Sequence, residues 1–166
     1  EHALTSQWRP ITMLVFTAIV ANNYIIAPHE LQNINELQRQ TNALLFSEAG
    51  DTNISNSNIL IIDSIGMLSN IYQYGKLAYI GGGFGVGIHN ILEAVAFGLP
   101  IIFGPNHQKF NEAKELINQK GAISISNYKE LNSAINAFID FDKSIAINYI
   151  HENSGATSKI LDSITT

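Results

Sequence analysis

The chain has 166 residues, of which 46% are hydrophobic and 14% charged, and these proportions are typical of one globular domain with a sizeable core. Its formal net charge is −5 and its sequence has no lysine and arginine cluster, which argues against nucleic acid as the main partner. It contains no cysteine, so disulfides and thiolate metal sites are excluded. The first residue is not methionine, which suggests a fragment or a processed piece.

Apolar runs bounded by turn-forming residues recur along the chain and predict the strands of a buried sheet. The first run, residues 13–21, is apolar on all sides and fits either a buried helix or a strand. It is about half the length of a membrane span, which needs about 20 residues. Further strands are predicted at 24–27, 43–46, 59–62, 76–80, 101–103 and 122–125, with 59–62 in the interior of the sheet and 122–125 at an edge.

Segments with apolar residues three or four apart alternate with these strands and predict helices. They are residues 30–40, 66–74, 89–97, 110–119, 128–139 and 143–164, the last interrupted near 153–155. The polar stretch 51–58 is rich in turn formers and is expected to be a loop. Strands alternating with helices predict one α/β domain over residues 1–166, with a parallel sheet covered by helices on both faces.

A glycine-rich loop follows the strand at 76–80 and precedes the helix at 89–97. Glycine permits positive φ and lets a ligand approach main-chain N–H groups, and a helix start adds the positive end of a dipole. The loop therefore predicts a phosphate or carboxylate site, with a turn that needs glycine only for packing as the alternative. Its glycines are Gly81, Gly82, Gly83, Gly85 and Gly87.

Ligands of parallel sheets bind outside the carboxyl ends of the strands, near the switch in strand order. Four segments, residues 28–30, 63–66, 81–87 and 104–106, follow predicted strands. We expect all four to face one crevice.

Several polar residues in and after these segments could have either a ligand-binding role or a structural role. His89 and Glu93 lie four apart on a predicted helix, so they could together hold a sugar hydroxyl or cap the helix. His29 could donate to an anion or hold a loop, and Asp63 and Ser64 could cap the next helix or bind the ligand. A metal site is not expected, because no third ligand lies at a recognisable spacing.

Other motifs are weak or absent. Asp140-Phe141-Asp142 matches the metal-binding Asp-x-Asp of some glycosyltransferases, but its position between two predicted helices favours a solvated helix end. The sequence has no nucleophile elbow, zinc-protease motif or Gly-Lys-Ser/Thr phosphate loop. The common hydrolase and NTPase classes are therefore disfavoured.

The motifs together resemble the carboxyl-terminal domain of the 3-deoxy-D-manno-octulosonic acid (Kdo) transferases of lipopolysaccharide synthesis. They occur in the family's order over roughly residues 24 to 160, and His-Asn-x-Leu-Glu at 89–93 is the most specific. At the start of the chain, only Ser6 and Trp8 match the family's opening motif, which leaves the role of residues 1–22 open. The matching segments are 25–30, 61–68, 78–83, 87–94, 98–105 and 155–157.

This resemblance implies a GT-B architecture of two Rossmann-like domains, of which this chain is the donor-binding half. The family transfers Kdo from CMP-Kdo to a lipid A precursor with inversion, needs no cofactor, and is attached to the cytoplasmic face of the inner membrane. Its general base lies in the amino-terminal domain. We therefore expect no catalytic residue in this chain, no activity of the chain alone, and membrane association only through the full-length protein.

The resemblance also implies which residues hold the donor. Backbone amides of residues 81–87 would receive the phosphate, Glu93 the ribose hydroxyls, and His29 would neutralise phosphate or the Kdo carboxylate. The loops at 62–66 and 105–106 would flank cytosine or sugar. The implied donor-binding residues are His29, Asp63, Ser64, Gly66, Gly81, Gly82, Gly83, Gly85, Gly87, His89, Asn90, Glu93, Pro105 and Asn106.

Two other functions remain open from the sequence. One is a GT-B relative that uses a UDP-sugar, such as a hexosaminyltransferase or a non-hydrolysing epimerase, and preference for CMP over UDP would separate it. The other is a non-catalytic nucleotide-binding or docking domain.

Overall fold

The computed structural model describes residues 13–18, 23–28, 31–51, 53, 57–85 and 87–155. The predictions for His29, for residues 156–164 and for the first twelve residues lie outside these ranges.

Seven strands and six helices make up the described fold. The strands are β1 Met13–Ala18, β2 Asn23–Pro28, β3 Leu44–Leu45, β4 Ile59–Ile61, β5 Leu77–Tyr79, β6 Ile101–Phe103 and β7 Ala122–Ser124. The helices are α1 Ile34–Thr41, α2 Leu68–Ile71, α3 Leu92–Val95, α4 Asn111–Asn118, α5 Tyr128–Ala137 and α6 Lys143–Asn153. Short 3-10 helices follow β3 at Phe46–Glu48 and α2 at Tyr72–Tyr74.

The strands form one sheet in the order β3-β4-β2-β1-β5-β6-β7. Strand β1 is antiparallel to both of its neighbours, β2 and β5, so those two strands run the same way. The other pairs are parallel, which gives β2 to β7 a common direction. The predicted parallel sheet is confirmed for these six strands, with β4 in the interior and β7 at an edge. The run at 13–21, open between helix and strand, contains a strand that runs against the rest.

Alternate residues of the strands pack into layers on opposite faces of the sheet, as the period of two requires. Ala78 and Ile101 join a core cluster with buried residues of α2, α3, α4 and α6. Leu77 and Ile102 point the other way and pack with α5, and Ile26, on that same face, packs near α1. Helices therefore cover both faces, as predicted, and the core strand β6 is completely buried.

Two helices near the glycine-rich loop and before β5 depart from the prediction in different ways. The helix predicted at 89–97 extends only over α3, since the backbone N–H of His89 donates instead to the carbonyl of Gly81 at 3.3 Å. The helix predicted at 66–74 divides into α2 and the 3-10 helix. The predicted interruption near 153–155 is the end of α6, at Asn153.

Candidate functional site

A cleft of about 500 Å³ opens at the carboxyl ends of β2 and β4 and extends to the segment before α3. It spans both sides of the antiparallel strand β1, the place where the strand order reverses and where such sheets bind ligands. Its volume is within the range of small-molecule sites. The lining residues are Ala27, Pro28, Leu31, Ile62, Ser64, Ile65, Gly66, Leu68, Tyr72, His89, Asn90 and Glu93.

The glycine-rich loop folds back on itself rather than forming an open string of amides. Gly82 and Ile88 form an isolated antiparallel bridge, and the Gly83 N–H donates to the Gly87 carbonyl at 3.2 Å. The N–H groups of Gly83 and His89, which donate to the carbonyls of Gly87 and Gly81, are therefore two of the main-chain donors that were expected to bind an anion. The expectation of a bare loop running into a helix at His89 is wrong, because α3 begins three residues later.

Close packing explains why glycine is needed in this loop. Gly82 and Gly83 have φ values of +91° and +80°, which side chains rarely allow. A Cβ on Gly83 would lie 2.8 Å from the Gly104 carbonyl carbon, and one on Gly104 would lie 2.6 Å from the Gly82 oxygen. The loops after β5 and β6 thus touch backbone to backbone. Gly87 lies against the ring of Phe110, where a Cβ would come within 2.7 Å.

Pro105 and Asn106 do not line this cleft, and Asn106 instead holds the glycine-rich loop in place. The Asn106 N–H donates to the Gly83 carbonyl at 2.8 Å, and its side-chain amide donates to the Gly85 carbonyl at 3.1 Å. The Pro105 carbonyl accepts from Gln108 at 2.8 Å. Of the four predicted segments, the two after β5 and β6 pack against each other, and the cleft is lined by Pro28, by residues 64–66 and by the residues just before and within α3.

His89, Asn90 and Glu93 meet at the cleft, although not by the predicted helical spacing. His89 precedes α3, so it is not one turn below Glu93. Asn90, in the segment before α3, is bonded to the start of that helix. Its Oδ1 accepts from the Leu92 N–H at 3.1 Å, and its Nδ2 donates to Glu93 Oε1 at 2.9 Å. The arrangement presents an imidazole, an amide and a carboxylate to one space.

Asp63 and Ser64 follow β4 but do not cap α2, contrary to the capping expectation. That helix begins after Met67 without a side-chain cap. Asp63 instead accepts hydrogen bonds from the N–H and the hydroxyl of Ser47. Burial alone would raise the pKa of the Asp63 carboxyl, but these bonds outweigh it and hold the pKa below its ordinary value. Ser64 donates to the Met67 sulfur at 2.8 Å, and Ser64 and Gly66 line the cleft.

Tyr72 is a cleft residue that sequence reasoning missed. Its side chain is 1% exposed, and its ring stacks on Phe97 with centroids 6.0 Å apart. Burial, and then the negative charge of Glu93, raises the pKa of the hydroxyl well above its ordinary value. No sequence signal distinguishes this tyrosine, because a helical apolar pattern predicts only that the position is buried.

Among the described residues that line the cleft there is no lysine or arginine, and His89 contributes a basic side chain. Asp142, part of the Asp-x-Asp motif, is the N-cap of α6 and accepts from the Ser144 N–H at 2.9 Å, as the helix-end interpretation predicted. That bond holds the Asp142 pKa below its ordinary value. The described ranges contain no group of three potential metal ligands, and none of their helices is long and apolar enough to cross a membrane.

The sheet, its two helical layers and the cleft at the reversal of strand order define a Rossmann-like domain, the kind that forms one half of a GT-B fold. The fold is similar to that of a crystal structure described as the C-terminal CMP-Kdo binding domain of WaaA from Acinetobacter baumannii, with a TM-score of 0.64 and 19% sequence identity. The structural match covers 77% of this chain and 71% of that one.

Sequence comparison also finds similarity to glycosyltransferases, most of them named Kdo transferases. A 3-deoxy-D-manno-octulosonic acid transferase of Aquifex aeolicus is 29% identical over 125 residues, which is 74% of this chain and 35% of that protein. The corresponding protein of Rickettsia bellii is 33% identical over 117 residues, which is 68% of this chain and 28% of its own length. A bifunctional glycosyltransferase/methyltransferase of Fusobacterium nucleatum is 26% identical over 165 residues, covering 87% of this chain and 26% of that protein.

No protein-family model matches the chain. It spans about a quarter to a third of the length of these curated relatives. The resemblance to Kdo transferases over one domain, inferred from the motifs, is nevertheless confirmed.

Proposed function

We propose that this chain is the donor-binding half of a Kdo transferase and that CMP-Kdo occupies the cleft between β2, β4 and α3. The observation that carries the proposal is the meeting of His89, Asn90 and Glu93, the family's most specific motif, at one cleft with the loop after β4. The names of the relatives support the same donor.

Within the cleft, each polar group has a task in this proposal. Glu93 is exposed to the cleft and accepts hydrogen bonds from the ribose hydroxyls, while Asn90 fixes one of its oxygens. His89 and Ser64 face the phosphate and the Kdo carboxylate as donors. The loop containing Gly66 flanks the cytosine or the sugar.

The phosphate of the departing CMP needs stabilisation as negative charge develops on it, and preorganised donors supply such stabilisation. With no lysine or arginine among the described lining residues, His89 and main-chain amides take this role. Direct donor contacts by Gly81 to Gly87, by Asp63 and by Pro105 and Asn106 stay predictions, as does that by His29.

The remaining steps belong to the rest of the enzyme. An amino-terminal domain would supply the general base and the lipid A precursor site, and transfer would proceed with inversion at the cytoplasmic face of the inner membrane. The chain alone would bind donor without transferring it.

The test is calorimetric titration of the chain with CMP, UMP, UDP and NAD. We expect CMP to bind best and Glu93→Gln to weaken it about tenfold or more, because hydrogen bonds to a charged group contribute about 1.5–3 kcal/mol. Glu152→Gln, on the exposed end of α6, is the matched control and should leave CMP affinity unchanged.

A preference for UDP would indicate instead that the chain is the donor-binding domain of a GT-B enzyme that uses a UDP-sugar. Failure of every nucleotide to bind at millimolar concentration would contradict the donor-binding role.

A further inference from the structure

Asn106 joins the two loops that pack against each other beside the cleft, although it does not line the cleft itself. Its N–H donates to the Gly83 carbonyl at 2.8 Å, and its Nδ2 donates to the Gly85 carbonyl at 3.1 Å. One residue of the loop after β6 therefore holds the glycine-rich loop at two points.

The glycine-rich loop needs such a fastening, because glycine has more conformational freedom to lose than any other residue. Within the loop, the bond from the Gly83 N–H to the Gly87 carbonyl and the bridge between Gly82 and Ile88 pair its two arms. These contacts make the loop a narrow, paired segment. The bonds from Asn106 attach that segment to the loop after β6.

The paired segment leads directly into His89, whose side chain lines the cleft. The N–H of His89 donates to the Gly81 carbonyl at 3.3 Å. Its ring lies against Gly82, where a Cβ would come within 3.3 Å of the ring carbon Cδ2. A displacement of the glycine-rich loop would therefore carry the imidazole with it.

Building on the proposed function, we propose that Asn106 is a positioning residue for the phosphate of the donor nucleotide. By fastening the glycine-rich loop, it keeps the His89 imidazole in place to meet the phosphate, without touching the ligand itself. A loop that is ordered before the ligand arrives does not lose that freedom on binding, which increases affinity. The ribose and the base, which the proposed function assigns to Glu93 and to the loop after β4, lie outside this effect.

Calorimetric titration with CMP and with cytidine, which lacks the phosphate, tests this inference. We expect Asn106→Ala to weaken CMP binding about fivefold, the effect of one ordinary hydrogen bond, and to leave cytidine binding unchanged. In the His89→Ala background, the same change should no longer affect CMP, because the imidazole that Asn106 positions is absent.

Gln108→Ala is the matched control, since Gln108 is exposed on the same loop and its side chain donates to the Pro105 carbonyl instead of to the glycine-rich loop. It should change the affinity for neither ligand. Equal weakening of CMP and cytidine by Asn106→Ala, or a loss of CMP affinity that persists in the His89→Ala background, would overturn the positioning role and leave the proposed function intact.

Amide hydrogen exchange in the nucleotide-free chain measures the fastening independently of any ligand. The N–H groups of Gly83 and His89 should exchange about fivefold faster in Asn106→Ala than in the unmodified chain or in Gln108→Ala. Unchanged exchange would overturn the positioning role whether or not CMP binds. If the unmodified chain fails to bind CMP at millimolar concentration, the proposed function and the positioning of His89 for phosphate are both overturned.

Discussion

At the scale of single residues, three glycines of this fold are needed for close backbone packing. Gly82, Gly83 and Gly104 let two loops touch through their backbones, which no other residue allows. The sequence indicated a loop that needs glycine, but it could not indicate the partner loop, since the contact joins segments that follow different strands. The packing alternative is what the structure shows at these positions.

We expect Gly83→Ala to lower the free energy of unfolding by about 2 kcal/mol or more, because it combines a φ of +80° with a Cβ placed 2.8 Å from the Gly104 backbone. Urea unfolding measures the change. Gly85→Ala is the matched control in the same loop, where a Cβ meets nothing within 4 Å and φ is not positive. Equal losses in the two variants would contradict the packing role.

Asp63 illustrates a side chain that the sequence placed at the correct edge of the sheet but with the wrong partner. We expect Asp63→Asn to destabilise the protein by less than about 1 kcal/mol at neutral pH, because the bonds from Ser47 are partly exposed to solvent. The folded pKa lies below the unfolded one, so this contribution is present above pH 4 and is lost as the pH falls through the folded pKa.

Acid unfolding followed by circular dichroism measures this effect, with Asp51→Asn as the control at an exposed carboxylate. The difference between the unmodified chain and Asp63→Asn should shrink as acid is added. A difference that stays constant down to the lowest pH would refute the assignment.

At the scale of elements, predictions were accurate where local signals set the boundaries. Asn127 accepts from the Glu130 N–H at 3.0 Å and Asp142 caps α6, so α5 and α6 begin where the sequence indicated. Helix α3 was predicted too long because its start depends on the bridge between Gly82 and Ile88. The direction of β1 was likewise beyond prediction, because a run that is apolar on all sides carries no signal for its partner strands.

The contact between α4 and α6 gives a prediction at this scale. The Tyr149 hydroxyl donates to Glu115 at 2.9 Å, and burial, followed by this bond, raises its pKa to about 12. The stabilisation is fully present below the unfolded pKa of about 10 and is lost as the pH rises toward 12. We expect Tyr149→Phe to cost about 1 kcal/mol at neutral pH and to remove this part of the alkaline sensitivity.

Unfolding titrations between pH 8 and about 12 would compare the unmodified chain with Tyr149→Phe, and with Tyr128→Phe as a control at a tyrosine that is 67% exposed. If the unmodified chain and Tyr149→Phe lose stability in parallel above pH 10, the hydroxyl bond is not the cause.

At the scale of the whole molecule, the rule that ligands bind at the carboxyl ends of parallel strands predicted the correct edge of the sheet. It could not say which of the four segments line the cleft, because that depends on how the loops pack on one another. Ser64, Gly66, His89, Asn90 and Glu93 come together there, whereas Asn106 binds the glycine-rich loop and Pro105 lies outside the lining. Tyr72 was missed because its place in the cleft lining follows from the three-dimensional packing of the 3-10 helix after α2, which a helical apolar pattern does not indicate.

Strand β1 divides the sheet into two blocks of three parallel strands, and the cleft has one wall on each block. Residues at the ends of β2 and β4 belong to one block, while His89 to Glu93 follow β5 in the other. A small molecule held by both walls would cross-link the blocks without any covalent bond. The sheet would then resist shear along β1 more strongly when a ligand occupies the cleft than when the cleft is empty.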